Sequence, residues 1–310
     1  MEHLEQRTKS LVAHSISGNT TKSYKTALAK FYQFCTLYSI PSVNISVHTL
    51  TLFISFLSFQ SLAPTTIASH IAALAFHFKV HAQPDPTSAF VVKKQLKGLK
   101  QGRTPADIRL PITAAVLQKI LNALQAVTVN SYDHKLFAAM YTLAYFGFLR
   151  VSELTAASRS TPVNLSKTIL CSDIKLCALQ ADVRLKVTKT NQSGTPTILQ
   201  LSSVPSSPIC PVAALHAYKP FTSAPLAPFF VHYGGEPVTR YQFCAVLSKA
   251  LLYAKIPYAH RYKAHSFRIG VSTQAAMNSI ADQDIKVYGR WSSKTTTHKR
   301  YIRIPSSQLI

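Results

Sequence analysis

The spacing of apolar residues in the first hundred positions most constrains the fold. In "TTKSYKTALAKFYQFCTLYSI", apolar side chains recur at intervals of three and four, at Tyr24, Leu28, Phe31, Cys35 and Tyr38. That interval places them on one face of a helix, because a strand would require alternation. The N-terminal part of the chain therefore predicts amphipathic helices that pack together.

Three further stretches continue this pattern: "SVHTLTLFISFLSF", "APTTIASHIAALAFHFKVH" and "DPTSAFVVKKQLKGLKQG". Asn19 or Thr20 is expected to cap the first of the four helices, and Pro64 lies near the start of the third. The fourth is expected to be capped by Asp85 or Thr87. Four short helices with polar connections predict a small helical bundle.

The segment "KQGRTPADIRLPIT", residues 100 to 113, interrupts this pattern. It contains one glycine, two prolines and three basic residues and has no apolar periodicity. Such composition is typical of a loop between domains. We therefore expect a helical domain over 1–103, a linker over 104–112 and a second domain over 113–310.

The second half mixes helical and strand patterns. "TAAVLQKILNALQAV", "DHKLFAAMYTLAYFGFLRVSELTAA", "RYQFCAVLSKALLYAKI" and "SFRIGVSTQAAMNSI" predict helices, the last capped by Ser266, and "ADQDIKVYGR" and "SKTTTHKRYIR" predict two short ones. "ADVRLKVTKT" and "TPTILQLS" predict a β-hairpin, and "FFVHYGG" a further short strand. The expected fold class is mainly α with a small antiparallel sheet, the second domain being α+β.

The charge of the chain indicates a polyanionic partner. Lys and Arg number 34 against 11 Asp and Glu, a net charge of +23. Residues up to 103 carry an excess of +8 and the remainder +15, so no single basic tail explains the charge. Solubility requires only a few charges. An excess spread over the whole sequence is typical of binding to nucleic acid or to an anionic membrane surface.

Cysteine usage and hydropathy favour an intracellular protein that does not enter a membrane. The five cysteines are odd in number and scattered, without a CxxC pair, which disfavours a disulfide scaffold or a zinc knuckle. The strongest apolar run, "LTLFISFLSF", is too short to span a bilayer. The N-terminus lacks the apolar core of a signal peptide. We expect the nucleus if the source is eukaryotic, and otherwise nucleoid-associated cytoplasm.

The acidic and glycine residues disfavour two common nucleic-acid chemistries. Metal-dependent phosphoryl transfer needs converging carboxylates, whereas the acids here are mostly isolated and the one close pair, Asp282 and Asp284, opens a short helix. The 9 glycines form no P-loop. We therefore expect no metal, no ATP and no other cofactor, which leaves a protein nucleophile assisted by cations.

Two short motifs offer such cations. In "HSFR", His265 and Arg268 share one face at the start of a helix, where an imidazole can move a proton and a guanidinium can bind a phosphate. In "FGFLRVSEL", Arg150 follows a long apolar run and Glu153 can orient it. Taken singly, the first motif is equally compatible with a solvated face and the second with a local ion pair.

A lysine and an aromatic pair complete the set of candidates. Lys189 lies at the predicted hairpin tip, where it can reach into a groove, with Lys186 as the competing candidate and an ordinary solvated turn as the alternative. In "GRWSSKTTTHKRYIR", Trp291 precedes the last helix and Tyr301 lies on it. The two could equally be structural anchors.

Two further residues of this segment bear on its geometry. If Ser293 caps the last helix, His298 shares a face with Tyr301. We expect His298 to face solvent rather than to assist proton transfer.

Together these motifs resemble the tyrosine recombinase, or phage-integrase-like, superfamily. The order Arg150, Lys189, His265, Arg268, Trp291 and Tyr301 matches the family, over residues 112 to 305. The wording "HSFRIG … GRWSS … RYIR" is similar to recombinases of eukaryotic mobile elements of the DIRS-like and Crypton-like kinds. The N-terminal part resembles the family's core-binding, SAM-like DNA-binding domain in architecture only.

The resemblance implies a role for each candidate. Tyr301 would attack a DNA phosphate to give a 3′-phosphotyrosyl bond and a free 5′-hydroxyl, with His265 as its base. Arg150 and Arg268 would bind the non-bridging oxygens, and Lys189 would protonate the leaving oxygen. Trp291 takes a position where many relatives have His, and Glu153 would support the site from behind.

The resemblance also implies partners and leaves alternatives open. Double-stranded DNA would be bound by a homotetramer on paired sites, with no membrane and no small-molecule substrate. A DNA-binding protein with dead chemistry, a type IB topoisomerase-like nicking-closing enzyme and a basic structural protein are the competing interpretations. Only nine residues follow Tyr301, which disfavours docking of a C-terminal segment onto a neighbouring protomer.

Overall fold

The computed structural model of the chain describes residues 1–101, 107–158, 164–187, 195–218, 224–292 and 295–303. The chain divides into two compact units, Met1–Asp107 and Ile108–Ile310, and the division falls within the segment 104–112. Both units are mainly helical, and the second carries a small antiparallel sheet. The predicted fold class is confirmed.

The described residues of the first unit form a bundle of five helices. Their bounds are α1 Glu2–His14, α2 Gly18–Leu37, α3 Val47–Phe59, α4 Pro64–Val80 and α5 Phe90–Lys100. Four correspond to the predicted helices, whereas α1 was not predicted because its residues are mostly exposed and carry little apolar periodicity. Among the described residues, no helix is both long enough and apolar enough to cross a bilayer.

The core of this bundle is aromatic. Phe31 and Phe34 of α2 pack against Phe53 of α3, with ring centroids 5.1 and 5.3 Å apart. All three side chains are almost fully buried. Burial of such rings is among the largest favourable contributions that a small domain can make, so the predicted apolar faces are what hold the bundle together.

Two of the predicted helix caps are wrong. Helix α2 begins one turn earlier than expected, and Ser17 caps it by accepting a hydrogen bond from the Thr20 amide at 3.2 Å. Asp85 caps the separate 3₁₀ turn Pro86–Ser88 instead of α5. In both cases several small polar residues precede the helix, and the backbone geometry selects among them.

The second unit contains seven helices and three strands among its described residues. The helices are α6 Ala114–Val127, α7 Ser131–Phe146, α8 Val151–Leu154, α9 Pro211–Ala217, α10 Arg240–Tyr253, α11 Ser266–Met277 and α12 Asp282–Tyr288. Short 3₁₀ turns include Thr297–Tyr301, which stands where a last α-helix was predicted. Helix α9 was not predicted.

The strands form one antiparallel sheet in the order β1, β2, β3. Their bounds are β1 Ile174–Leu176, β2 Gln180–Leu185 and β3 Thr197–Ser202. Val183 pairs with Ile174 on one side and Leu199 on the other. The predicted hairpin is therefore confirmed as β2 and β3, whereas β1 was missed because a three-residue strand carries almost no alternation.

Three other predictions for this unit are wrong. "FFVHYGG" forms one isolated bridge, between Val231 and Pro237, rather than a strand. Ser266 does not cap α11, because His265 occupies the cap position and the Ser266 hydroxyl accepts from the Lys263 amide at 3.0 Å. The long predicted helix around Arg150 is broken: α7 ends at Phe146, and Phe148 adopts a positive φ of 49°.

Helix α11 is packed unusually closely against an extended segment. The Ile112 amide donates to the Ser266 carbonyl at 3.0 Å. A Cβ atom placed on Gly270 would lie 1.7 Å from the Ile112 carbonyl oxygen. Only glycine permits this approach, which fixes the helix that carries His265 and Arg268.

We expect Gly270→Ala to destabilise the second unit by about 1–3 kcal/mol or more, because the added methyl group must push the Ile112 backbone away. The change would be measured as a lower midpoint in urea unfolding followed by circular dichroism.

Gly98→Ala provides the matched control, since a Cβ atom there would meet nothing within 4 Å. Gly98 lies within α5, so alanine should stabilise its unit by about 0.5–1 kcal/mol. Equal effects of the two substitutions would contradict the close approach at Gly270.

Candidate functional site

Arg150 lies in the break between α7 and α8, at the start of α8. Its Nη1 donates to Glu153 Oε1 at 3.2 Å, and its backbone amide donates to Glu153 Oε2 at 2.8 Å. The Arg150 side chain is 15% exposed and that of Glu153 is 8% exposed. One carboxylate therefore fixes both the backbone and the guanidinium of Arg150, as the sequence suggested.

A second arginine, Arg290, joins Arg150 and Glu153 and was not predicted from the sequence. Its Nη2 donates to Glu153 Oε2 at 3.2 Å and to the Phe148 carbonyl at 2.9 Å, and its Nη1 donates to the Gly147 carbonyl at 3.0 Å. Burial, then repulsion from Arg150, outweighs the attraction of Glu153 and lowers the pKa of Arg290. The sequence signal that could have identified Arg290 is its position directly before the candidate residue Trp291.

Arg268 points inward from α11 and is only 1% exposed. Its two terminal nitrogens donate to carbonyl oxygens, Nη1 to Phe148 and Nη2 to Gly289, the latter at 2.7 Å. Burial, then repulsion from Arg150 and Arg290, lowers the pKa of Arg268 to about 9. The group is therefore still a cation at neutral pH.

Trp291 and Tyr301 cover this guanidinium. The Arg268 Cζ atom lies 4.5 Å from the Trp291 ring centroid and 5.5 Å from that of Tyr301. The two rings are 5.1 Å apart. A cation beneath aromatic faces is attracted by their quadrupoles, by about 0.5–2 kcal/mol per contact, so the arginine and the rings hold one another in place.

Gly289 makes room for the indole. A Cβ atom on Gly289 would lie 1.7 Å from Cζ3 of Trp291. Trp291 itself is 9% exposed and packs with Phe148 and Ile285. The sequence "GRW" thus places a small residue, a buried cation and a ring in direct succession.

His265 lies beside Tyr301, with their ring centroids 6.3 Å apart and their planes 24° from parallel. Burial, then the charges of Arg109, Arg268, Arg240 and Arg150, lowers the pKa of His265 to about 4. The imidazole is therefore neutral at pH 7 and able to accept a proton. Arg109 and Arg240 were not among the predicted site residues.

Lys189 and Ser293 lie outside the described residues. The competing lysine, Lys186, is engaged elsewhere: its Nζ lies 2.8 Å from the buried carboxylate of Asp173 and donates to the Leu165 carbonyl at 3.1 Å. These contacts hold Lys186 against Asp173 and Leu165, next to the sheet.

His298 was expected to face solvent, and that prediction is wrong. It is 1% exposed, and its Nε2 lies 3.2 Å from Asp282 Oδ2. Its ring centroid is 6.4 Å from that of Trp291. The 3₁₀ turn presents a different face from the expected α-helix, which turns His298 inward and leaves Tyr301 partly exposed.

The described part of the chain contains no cluster of three or more His, Cys, Asp or Glu residues that could hold a metal ion. The groups that do converge are Tyr301, His265, Trp291, Glu153 and the arginines. Such a set can bind an anion, accept a proton from a phenol and stabilise developing negative charge.

Several solved structures share this fold over nearly the whole chain. The XerH site-specific recombinase, bound to a palindromic difH substrate in a post-cleavage complex, is similar with a TM-score of 0.64 at 14% identity, over 93% of this chain and 77% of XerH. The Tn1549 transposon integrase with transposon right-end DNA has a TM-score of 0.61 at 16% identity, over 97% and 95%. A lambda integrase dimer bound to a core site has a TM-score of 0.61 at 13% identity, over 97% of this chain and 94% of the integrase chain.

These likenesses establish the fold. The chain shares the fold of these solved structures, a helical unit and a mainly helical unit with a small antiparallel sheet. No protein-family profile and no curated protein sequence matches the chain.

We expect the His265 imidazole to titrate near pH 4 in the free protein, below the ordinary value of about 6.5. Because the unfolded chain takes up this proton first, the stability linked to His265 should fall as the pH drops from about 6.5 to about 4. An NMR titration, assigned through His265→Gln, measures the pKa. Arg109→Ala should raise it, and a wild-type titration at 6.5 or above would contradict the prediction.

Trp291 is the only tryptophan of the chain, so its fluorescence reports on the site. We expect Gly289→Ala to displace the indole toward water and shift its emission to longer wavelength, because the added methyl group would overlap the ring.

Gly18→Ala serves as control, since a Cβ atom there meets nothing within 4 Å. Its emission spectrum should match that of the wild type. An unshifted spectrum for Gly289→Ala would show that the ring is not packed on this glycine.

Proposed function

We propose that the protein cleaves and rejoins DNA strands at specific sites through a 3′-phosphotyrosyl intermediate, as a tyrosine recombinase. The fold supports this proposal, because the structures that share it are recombinases and integrases described in complex with DNA. The net charge of +23 supports a DNA partner, since each neutralised phosphate releases counterions and strengthens binding.

The observation that carries the proposal is the surroundings of Tyr301. Its ring lies 6.3 Å from that of His265 and 5.5 Å from the Arg268 guanidinium. A partly exposed tyrosine beside a neutral imidazole and a buried cation has the components of an activated nucleophile. A tyrosine serving only as an anchor would not need a proton acceptor next to it.

The reaction is a transesterification. Tyr301 Oη attacks the scissile phosphorus and its proton passes to His265, because free tyrosine, with a pKa of about 10, is mostly protonated at neutral pH. A bond forms between Oη and phosphorus while the bond from phosphorus to the 5′-oxygen breaks. Lys189 would protonate the leaving oxygen. Attack by a 5′-hydroxyl on the phosphotyrosine reverses the steps, so no net energy source is needed.

Arg150 and Arg268 would stabilise the negative charge on the phosphate oxygens. Arg150 is the better placed for direct contact, since part of its side chain is exposed. Both terminal nitrogens of Arg268 already donate to carbonyls. A direct contact between Arg268 and phosphate therefore requires that one of these bonds be exchanged.

The wider biological setting is also a proposal. The sequence "HSFRIG … GRWSS … RYIR" supports a recombinase of a eukaryotic mobile element, and hence a nuclear location. A homotetramer on paired sites would bring two cleavable duplexes together, and the lambda integrase described as a dimer on a core site is consistent with such pairing. The first unit would act as the core-binding domain.

A nicked suicide substrate tests the proposal, using the DNA that flanks the coding sequence. Wild-type protein should form a covalent protein–DNA adduct, visible as a band of slow mobility in a denaturing gel. Tyr301→Phe should form none while retaining DNA affinity, because one hydroxyl is lost among many basic contacts.

Tyr288→Phe is the matched control, since Tyr288 is exposed on α12 close to the same site. Its adduct yield should equal that of the wild type. An adduct that survives in Tyr301→Phe would exclude Tyr301 as the nucleophile, and relaxation of supercoiled DNA without strand exchange would indicate a topoisomerase instead.

A further inference from the structure

We infer that Arg290 is a positioning residue for DNA cleavage, which holds Glu153 and through it aims Arg150 at the phosphate. This inference rests on the proposed function, because Arg150 has a target only if the site binds a phosphate. Arg290 was not among the sequence candidates and would not touch the DNA itself.

The backbone at Arg290 is the first argument. Its φ is +52°, in the left-handed region that a side chain with a Cβ atom adopts at a cost. Glycine would occupy the position more easily. The backbone conformation at this position thus favours glycine, yet the residue is arginine. The contacts of the Arg290 side chain must therefore offset the conformational cost.

Those contacts converge on the break between α7 and α8. Nη1 and Nη2 of Arg290 donate to the Gly147 and Phe148 carbonyls at 3.0 and 2.9 Å, and Nη2 lies 3.2 Å from Glu153 Oε2. The same oxygen accepts the Arg150 amide at 2.8 Å. Arg290 thus grips both the backbone before Arg150 and the carboxylate that orients it.

The charge of Arg290, and not only its size, matters for the position of Arg150. Glu153 is a nearly buried carboxylate between two guanidinium groups, with Oε1 facing Arg150 and Oε2 facing Arg290. Without Arg290, Arg150 would be the one guanidinium among the described residues paired with the Glu153 carboxylate. The carboxylate would then draw the Arg150 guanidinium inward and reduce its availability to a phosphate.

A purely structural role is the competing explanation. Arg290 precedes Trp291, so it could simply anchor the turn that carries the indole. The two roles differ in one respect: a positioning role acts through Glu153 and Arg150, whereas an anchoring role acts through Trp291 and does not depend on either.

The first experiment compares Arg290→Gly with wild type in single-turnover cleavage of the suicide substrate. Glycine suits the positive φ, so this variant is the one best able to fold. We expect the cleavage rate to fall by about 100-fold, the size of effect that a 1 Å misplacement can cause, with DNA affinity nearly unchanged. Arg184→Ala, which removes an exposed arginine of β2, is the charge-matched control and should cleave at the wild-type rate.

The second experiment asks whether the effect passes through Glu153. In a double-mutant cycle, Arg290→Gly should slow cleavage far less when Glu153 is already Gln, because the carboxylate that Arg290 balances is then neutral. The Trp291 emission of each variant reports separately on the turn.

Added guanidinium ion should partly restore cleavage by Arg290→Gly, whereas sodium chloride at equal ionic strength should not.

The outcomes separate this inference from the proposed function. If wild type forms no adduct, the proposed function fails first. If wild type cleaves and Arg290→Gly cleaves equally well, the inference is overturned. It is also overturned if Arg290→Gly slows cleavage by the same factor in the Glu153→Gln background as in the wild type. A third contrary result would be a cleavage rate that changes across the variants in parallel with the Trp291 emission. If Arg290→Gly does not fold, Arg290→Lys replaces it. Lysine keeps the positive charge but lacks the paired terminal nitrogens of arginine, so this variant must cleave more slowly than wild type, and guanidinium must not restore its rate.

Discussion

The carbonyl oxygen of Phe148 is the acceptor on which the site of the second unit depends. It receives hydrogen bonds from the guanidinium groups of both Arg268 and Arg290. Phe148 can present this oxygen because its positive φ ends α7 and turns the peptide. One strained residue therefore joins α11, the "GRW" turn and the segment of Arg150, and the aromatic rings close over the cations that it binds.

The site is unbalanced in charge as it stands. Arg150, Arg268 and Arg290 surround a single buried carboxylate, Glu153, and two of the three arginines have a lowered pKa because they are buried near other cations. Such crowding costs stability in the free protein. A phosphate entering the site would relieve the repulsion. Under the proposed function, part of the affinity for DNA would therefore come from relief of this unfavourable arrangement in the free site.

The sequence predicted the elements better than their ends. Periodicity placed the helices around Phe31 and Phe53 and the hairpin of β2 and β3, because each buries one regular face. It missed the break at Phe148, since a left-handed phenylalanine has no signature in composition. For the same reason His298 was placed in solvent: an α-helix was assumed where a 3₁₀ turn rotates the face.

The candidate residues themselves were identified by order along the chain, and the structure brings Arg150, Glu153, His265, Arg268, Trp291 and Tyr301 into one region. What the sequence could not supply were the residues whose role comes from distant contacts. Arg109, Arg240 and Arg290 belong to no recognisable motif on their own. Arg290 becomes informative only when the Gly147, Phe148 and Glu153 oxygens, more than 130 positions away in the chain, are seen around it.

That separation has a consequence for how the site forms. Arg290 and Phe148 are 142 positions apart, and Arg268 and Phe148 are 120 apart. Contacts this remote must overcome the entropy of closing a long loop, and they slow folding relative to local helix contacts. The helices can form early, while the cluster around Phe148 assembles only when the last third of the chain returns to α7. During synthesis, the chain carries much of its positive charge before the site is complete. Under the proposed function, an incomplete chain would therefore bind DNA before it was able to cleave it.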